Sequence, residues 1–421
     1  MDDQRRIWLV GLGTHGDILP VIALGAALRQ RGHDARVAVP APFLALASRA
    51  GLPCHPIGSQ GDFDRVMADR SLWRPIRGAR ALFTAAVEAA GPTYRWLEEN
   101  GRPGHDLVVA SSLAFGARIA QDRLGFSLAT LHLMPMLVES RLAPPRLPGL
   151  PLPGWLPARL RHGMGRGADR FVIGPAALPA LNALRATLGL GPVRRLRHWW
   201  HSPECVLLAV PEWYAAPQSD WPAQLTQTGF PLADTYGDAE DLSPELRAFL
   251  RDGAPPVAFM YGSAMLRADR FFATAVDLCR RSGRRGVLLT AHGGQIPAGL
   301  PPGILHAAYA PLSRLLPACA ALVHHGGVGT VAQALAAGCP QLIVPVAFDH
   351  ADEARRVSRL GVGTSLSRRR FTARRGHRAL EGMLASGPVQ AACREVRARV
   401  AGGRGIPALC DAIDAMLARQ A

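Results

Sequence analysis

Short apolar runs alternating with helix-patterned segments constrain this chain more than any other feature. IWLVGLG (7–13), ARVAVP (35–40), HDLVVASS (105–112), FSLATLHL (126–133) and CVLLAV (205–210) are too short for buried helices, and stretches of helical spacing such as Leu19 to Gln30 lie between them. Strand, helix, strand repeated in this way packs as right-handed parallel units, which build a doubly wound sheet. The pattern then restarts with PPVAFMYGS (255–263), GVLLTA (286–291), ALVHHGG (321–327) and QLIVPV (341–346). The expectation is an α/β chain of two consecutive doubly wound, Rossmann-like domains. The turn-rich, acidic GFPLADTYGDAEDLSPEL (229–246) marks their join. The boundaries expected are a first domain over 1–229, a linker over 230–246, a second domain over 247–400, and a last helix over 401–421 that packs back towards the first domain. A proline-rich stretch, APPRLPGLPLPGWLPARL (143–160), cannot be a helix interior and reads as a loop inserted in the first domain.

Charge and cysteine narrow the chemistry. All 48 basic residues are arginine, which excludes a Schiff-base lysine and a phosphate-loop lysine. The net charge of +16 divides evenly, +8 on each side of Gly229, so no detachable basic tail exists. Such a spread suits an anionic small substrate or loose attraction to an anionic membrane as well as it suits nucleic acid. RRRFTARRGHR (368–378) reads as a solvated helix end. The seven cysteines are scattered without a Cys-x-x-Cys, against a disulfide framework or zinc knuckle. Leu124 to Val138 is uncharged but too short to cross a bilayer. A cytoplasmic location is expected.

Gly11-x-Gly13-x-x-Gly16 has the spacing of a dinucleotide-binding turn. Two requirements of that turn fail. Asp17 would face the cofactor pyrophosphate, a repulsion of about 4 kcal/mol at an effective dielectric near 20. The second strand ends in Val37-Ala38-Val39-Pro40, with no acid for the ribose. Asp17 itself has two readings that the sequence leaves open: an N-cap ahead of Ile18-Leu19-Pro20, or a general base pointing into an interdomain cleft. His15 is the reserve base. Asp62-Phe63-Asp64 mimics a metal-holding acid pair, but Asp-x-Asp is common by chance and no metal is expected there.

In ALVHHGGVGTVAQALAAGCPQLIVPVAFDH (321–350) an apolar strand runs through His325, Gly326, Gly327, Gly329 and Thr330 into a helix. Small residues at a helix start let backbone N–H groups approach an anion, and Thr330 and His325 add side-chain donors, which makes a metal-free diphosphate cradle. This stretch resembles the donor-binding motif of the GT-B nucleotide-sugar glycosyltransferases of the UDP-glycosyltransferase superfamily, and GTHGDILP (13–20) resembles that family's N-terminal element. WHSPECVLLAVPEWYAAPQSDWPAQLTQTGFPL, YAPLSRLLPACAALVHHGG, SLWRP and SSLAFGARIA are similar to the rhamnosyltransferases of rhamnolipid synthesis. The resemblance implies two domains facing across a cleft, with Asp17 as the base. It also implies a nucleotide-sugar co-substrate, dTDP-L-rhamnose, in place of any cofactor. His325, Gly326, Gly327, Gly329 and Thr330 would hold the diphosphate. Tyr309 would stack on the nucleobase, Ala310 would read its edge by backbone atoms, and Ser263 would face the nucleoside. Asp349 and His350 stand where the family places Asp-Gln against sugar hydroxyls, and Glu353 where Asn is common. These departures count against glucose and suit a deoxysugar.

The expected reaction is a single inverting displacement at the anomeric carbon. A helix start favours ionised carboxylate, so Asp17 is expected to be a weak base with late proton transfer. Trp73, Phe83 and Met134, with the proline-rich loop, are candidates for an apolar acceptor wall. The acceptor expected is a hydroxyalkanoyloxy-alkanoic acid, and such an anionic lipid would bring the enzyme to a membrane face; no nucleic-acid partner is expected. The alternatives are a polyketide, macrolide or sterol-like acceptor, a nucleotide-sugar 2-epimerase and, least favoured, a nicotinamide oxidoreductase.

Overall fold

The computed structural model describes residues 5–147, 156–262 and 265–419; most of the proline-rich loop (148–155) and Ser263 lie outside these. The chain divides into two compact units, Met1–Pro231 with Arg404–Ala421, and Leu232–Gly403. Among the described residues, no helix is long and apolar enough to cross a membrane.

The first unit holds seven strands, β1 (Arg6–Val10), β2 (Asp34–Val39), β3 (Cys54–Pro56), β4 (Leu107–Ser111), β5 (Ser127–His132), β6 (Cys205–Leu208) and β7 (Leu225–Gln227). Their order is β3-β2-β1-β4-β5-β6-β7, every pairing parallel. The inner strands are apolar on both faces, as a sheet sandwiched between helix layers requires: Ile7, Leu9, Val10, Val108, Leu128 and Ala129 are all buried. The second unit holds β8 (Val257–Met260), β9 (Gly286–Leu289), β10 (Ile304–Ala307), β11 (Ala321–His324), β12 (Gln341–Ile343) and β13 (Gly363–Ser365), in the order β10-β9-β8-β11-β12-β13. All of these pairings are parallel too. In both units the strands read from apolar runs are interior, while β3, β7, β10 and β13 form the four sheet edges.

The stretch expected as a linker belongs to the second unit from Leu232 onward. It forms a turn at Asp234–Tyr236 and a helix, Pro244–Arg251, whose start is capped by Ser243 Oγ accepting the Leu246 N–H at 3.2 Å. The last helix, Gly405–Ala418, lies with the first unit, its Leu409, Cys410, Ile413 and Met416 buried. The outgoing and returning chains touch where they meet. A Cβ on Gly229 would stand 3.1 Å from the Gly405 nitrogen, and one on Gly405 2.2 Å from the Phe230 carbonyl oxygen, so neither position has room for a side chain.

Asp106 ties β1 to the start of β4. It is 1% exposed and accepts the Trp8 indole N–H at 2.9 Å, the Arg102 backbone N–H at 3.0 Å and the Arg6 backbone N–H at 3.4 Å. Burial alone would raise its pKa, but the bonds from Trp8 and Arg102 outweigh it and hold the carboxyl below its ordinary value. A carboxyl depressed in the fold stabilises above its unfolded pKa, about 3.9, and loses that contribution as pH falls through the lower folded value. Asp106→Asn is therefore expected to cost about 2–3 kcal/mol near neutral pH, with the deficit shrinking only below about pH 4. Urea unfolding of both proteins across that range checks it.

Candidate active site

Parallel strands place every strand-to-helix turn of a sheet at one edge, the edge where open α/β sheets bind ligands. In the first unit, β1 runs through Gly11 and Gly13 into the helix His15–Gln30. This helix begins four residues before the Leu19 expected, because Thr14 is its N-cap and Asp17 its third residue. Asp17 is thus not the N-cap. Its Oδ2 reaches back to accept the Thr14 backbone N–H at 2.9 Å, with the Thr14 hydroxyl at 3.5 Å, and its own N–H bonds the Thr14 carbonyl at 2.8 Å. Gly13 makes this knot possible. Its φ is +131°, and a Cβ there would lie 2.2 Å from Asp17 Oδ2.

The knot leaves the carboxyl half-buried, and burial outweighs the bonds from Thr14, raising its pKa to about 6. The weak base expected from the helix start is corrected here: desolvation outweighs the favourable field, and the group titrates close to neutrality. His15 stands on the same turn with its ring edge-on to Phe43, centroids 5.0 Å apart.

Sequence reasoning missed a polar relay at the ends of β4 and β5. The Trp200 indole N–H can only donate, and it meets His201 Nε2 at 3.2 Å. Neutral His201 therefore carries its proton on Nδ1 and donates to His132 Nε2 at 2.8 Å. His132 Nδ1 in turn donates to Ser112 Oγ at 2.6 Å, and the Ser112 hydroxyl donates to the Leu131 carbonyl at 3.3 Å. Burial and the Arg197 charge push His201 down to about 4; burial and His201 push His132 well below its ordinary value, so both rings stay neutral. Next to the relay, Ser111 Oγ accepts the Leu12 N–H at 3.1 Å, which fastens the loop leading to Asp17 onto β4. A lone histidine, His132, inside the apolar strand β5 was the available signal.

In the second unit, β11 ends at His324, and the helix Val328–Ala337 starts after Gly327, an N-cap residue with no side chain of its own to cap it. His324 fixes the turn: its Nδ1 accepts the Gly326 N–H at 3.2 Å and its Nε2–H donates to Gln341 Oε1 at 3.1 Å. The Gly326 amide is therefore engaged and does not serve the cradle as expected. His325 is buried, and burial pushes its pKa down to about 4. Its Nδ1 has no hydrogen-bond partner in the protein. Its Nε2 would be 2.7 Å from a Cβ on Gly327 and 3.4 Å from one on Gly262, so these two glycines form a slot for the imidazole. Gly329 is exposed at the helix start and Thr330 buried beside it. Asp349 Oδ2 accepts the Val328 N–H at 3.2 Å, while its Oδ1 stands 3.9 Å from His350 Nε2. His350 Nδ1 accepts the Val346 and Ala347 N–H groups at 3.3 Å each; its buried ring lies edge-on to His325, centroids 4.7 Å apart. Phe348 between these groups holds φ at +51°, a left-handed conformation concentrated at ligand sites.

Other candidates fare differently. Tyr309 is half-buried and its phenol donates to the Asp234 carbonyl at 3.0 Å, which anchors the ring to its own unit's first turn. Ala310 is buried among Leu312, Leu315 and Leu246. Phe83 does not line an open wall: it is 7% exposed and belongs to the core around Phe115 and Trp200. Trp73 and Met134 are half-buried, Met134 just beyond β5. Asp62 takes part in a cap, accepting the Ser59 N–H at 3.0 Å and hydroxyl at 2.7 Å, and Asp64 accepts from Gln60 at 2.9 Å. Among the described residues, no group of three or more His, Cys, Asp and Glu side chains is placed to hold a metal ion.

Known proteins resemble this chain over most of its length. Residues 7–140 match the glycosyltransferase family 28 N-terminal domain and residues 287–408 the erythromycin biosynthesis protein CIII-like C-terminal domain. The chain is 31% identical over 375 residues to O-mycaminosyltylonolide 6-deoxyallosyltransferase of Streptomyces fradiae, covering 85% of this chain and 84% of that protein. It is 29% identical over 372 residues to dTDP-epi-vancosaminyltransferase of Amycolatopsis orientalis, covering 86% and 85%. The solved spinosyn rhamnosyltransferase SpnG superposes with a TM-score of 0.69 at 19% identity, covering 98% of this chain and 99% of that one.

A carboxyl whose pKa rises on folding destabilises once it ionises. For Asp17 that cost is absent below about pH 4, grows as pH rises through about 6 and is complete above it. Asp17→Asn is therefore expected to gain about 1–2 kcal/mol over wild type at alkaline pH and nothing in acid. Urea midpoints at both ends measure this; a variant weaker than wild type at alkaline pH would mean that the capping bonds dominate.

Proposed function

This chain belongs to the GT-B glycosyltransferases of the family 28 and EryCIII-like type, within the UDP-glycosyltransferase superfamily, and on that premise we propose that it moves a deoxysugar from a nucleoside diphosphate to a hydroxyl of an apolar acceptor. The donor is dTDP-L-rhamnose and the acceptor a hydroxyalkanoyloxy-alkanoic acid. One observation carries the donor half: a buried imidazole, His325, has a ring nitrogen without a protein partner beside the glycine-led start of the helix Val328–Ala337. That pairing suits a diphosphate that accepts from His325, the Gly329 and Thr330 amides and the Thr330 hydroxyl. Asp349, whose Oδ2 holds the Val328 N–H, stands where a sugar hydroxyl would meet a carboxylate. Relatives named for deoxysugars, one of them dTDP-linked, support the donor class.

In the reaction, the acceptor oxygen bonds to the anomeric carbon, its proton passes to Asp17, and the bond from that carbon to the diphosphate breaks with inversion. The electron pair leaves on the diphosphate, which the 325–330 loop holds. A base titrating near 6 is well matched to a hydroxyl at neutral pH and is worth about 10²–10⁴-fold. No metal takes part. A second reading, a polyketide or macrolide-type acceptor, draws on the tylonolide acceptor in the name of the Streptomyces fradiae relative.

The decisive experiment is a thermal-shift panel of dTDP, UDP and GDP sugars, then mass spectrometry of products from hydroxyalkanoyloxy acids and from macrolactone aglycones. A glycoside formed only from the latter selects the second reading; free nucleoside diphosphate without any glycoside points to an epimerase. Asp17→Asn is expected to bind dTDP normally and to lose about 10²-fold or more in turnover. Wild-type activity is expected to fall on the acid side of about pH 6. Turnover of the variant near wild type would remove Asp17 from the chemistry. Activity is expected to survive excess chelator, and rescue by magnesium after its loss would overturn the metal-free mechanism.

A further inference from the structure

The helix Ala158–Ala168 and the π-turn Asp169–Ile173 that continues it contain no buried residue. Leu160, Met164 and Phe171 stand 56%, 39% and 67% exposed, large apolar side chains that a protein surface normally covers. Their spacing of four and then seven residues puts them on one stripe of the helix. Arg159, Arg166 and Arg170, also exposed, form a second stripe, spaced seven and then four residues along the chain. Asp169, the one carboxyl between 156 and 173, turns to Arg197 at 3.7 Å and leaves the face without exposed negative charge. Gly163, Gly165 and Gly167 have open space around them and are poor helix formers, so neither burial nor propensity accounts for this helix. Its far end is anchored, since the helix Gly174–Thr187 that follows sinks Ala177 and Leu181 into the first unit's core.

We propose that this face, residues 158–173, is a docking surface for an anionic lipid bilayer. An apolar stripe lying at the headgroup boundary with arginines beside it is the pattern of an interfacial helix. The arginine stems cover the apolar edge while the guanidinium groups reach the lipid phosphates. A second copy presenting this same face brings no exposed negative charge to meet the arginine row. The proposal does not depend on which sugar or acceptor the enzyme uses.

The test is co-sedimentation of the full-length protein with phosphatidylcholine vesicles, with and without phosphatidylglycerol. Binding is expected to require phosphatidylglycerol and to fall with salt, each arginine near the surface contributing roughly fivefold. The paired change Met164→Ser with Phe171→Ser, and separately Arg166→Glu with Arg170→Glu, are each expected to weaken binding by about tenfold or more. Turnover on a soluble acceptor is expected to stay unchanged. Hydrogen exchange of the wild-type protein supplies a readout free of variants: amides of 158–173 are expected to slow on anionic vesicles. No vesicle binding, binding untouched by either pair of changes, or wild-type self-association that the serine pair abolishes would each overturn the proposal.

Discussion

A carboxylate that folds back onto the backbone three residues earlier organises the start of the first unit's leading helix. Asp17 is held by the Thr14 amide, and it fits only because Gly13 has no side chain. The same bond starts the helix, half-buries the acid and raises its pKa. Capping and desolvation are therefore one arrangement: the geometry that begins the helix also takes the acid out of water. The cost is a negative charge kept in a poorly solvated place, a small strain of the kind that functional sites retain.

Under the proposed function, the second unit faces the opposite problem, how to receive negative charge without lysine. Its means are a helix start, two glycines that open a slot for His325, and a neutral imidazole. Asp349 complicates this, since it already occupies the first amide of the helix. An acid there weakens the local attraction for an anion, and a ligand gains in compensation a hydrogen-bond acceptor for its hydroxyl groups. That trade favours a ligand carrying both phosphate and sugar over phosphate alone.

Much of this was legible in the sequence. The inner strands announced themselves because both of their faces are buried, so nearly every residue is apolar; β4, Leu107–Ser111, is buried along its whole length. The four edge strands did not, because an edge strand is short and half solvated: β13 is Gly-Thr-Ser and β7 is Leu-Thr-Gln, sequences that carry no apolar run. The motif His325 to Thr330 was readable as a strand-to-helix turn, but not that His324 consumes the Gly326 amide, since that bond depends on the turn's path. Asp17 was found and its ionisation misjudged, because the helix field is visible in sequence and desolvation is not. Phe83 reads the same whether it lines a groove or fills a core, and only packing against Phe115 and Trp200 decides. The Trp200–His201–His132–Ser112 relay joins residues from three separate stretches of the chain, and a histidine inside an apolar strand does not tell which partners the fold brings to it.

The contact between Gly229 and Gly405 has an evolutionary corollary. The second unit leaves and re-enters the chain at adjoining points, so in sequence it is an insert with its two ends side by side. Such a segment can be exchanged as a cassette between homologous chains, provided both junctions are replaced together. A crossover at one junction alone would leave the terminal helix Gly405–Ala418 from one parent packed on a first unit from the other. Shuffled chimaeras of this architecture should therefore survive mainly as double recombinants, with glycine retained at both seams.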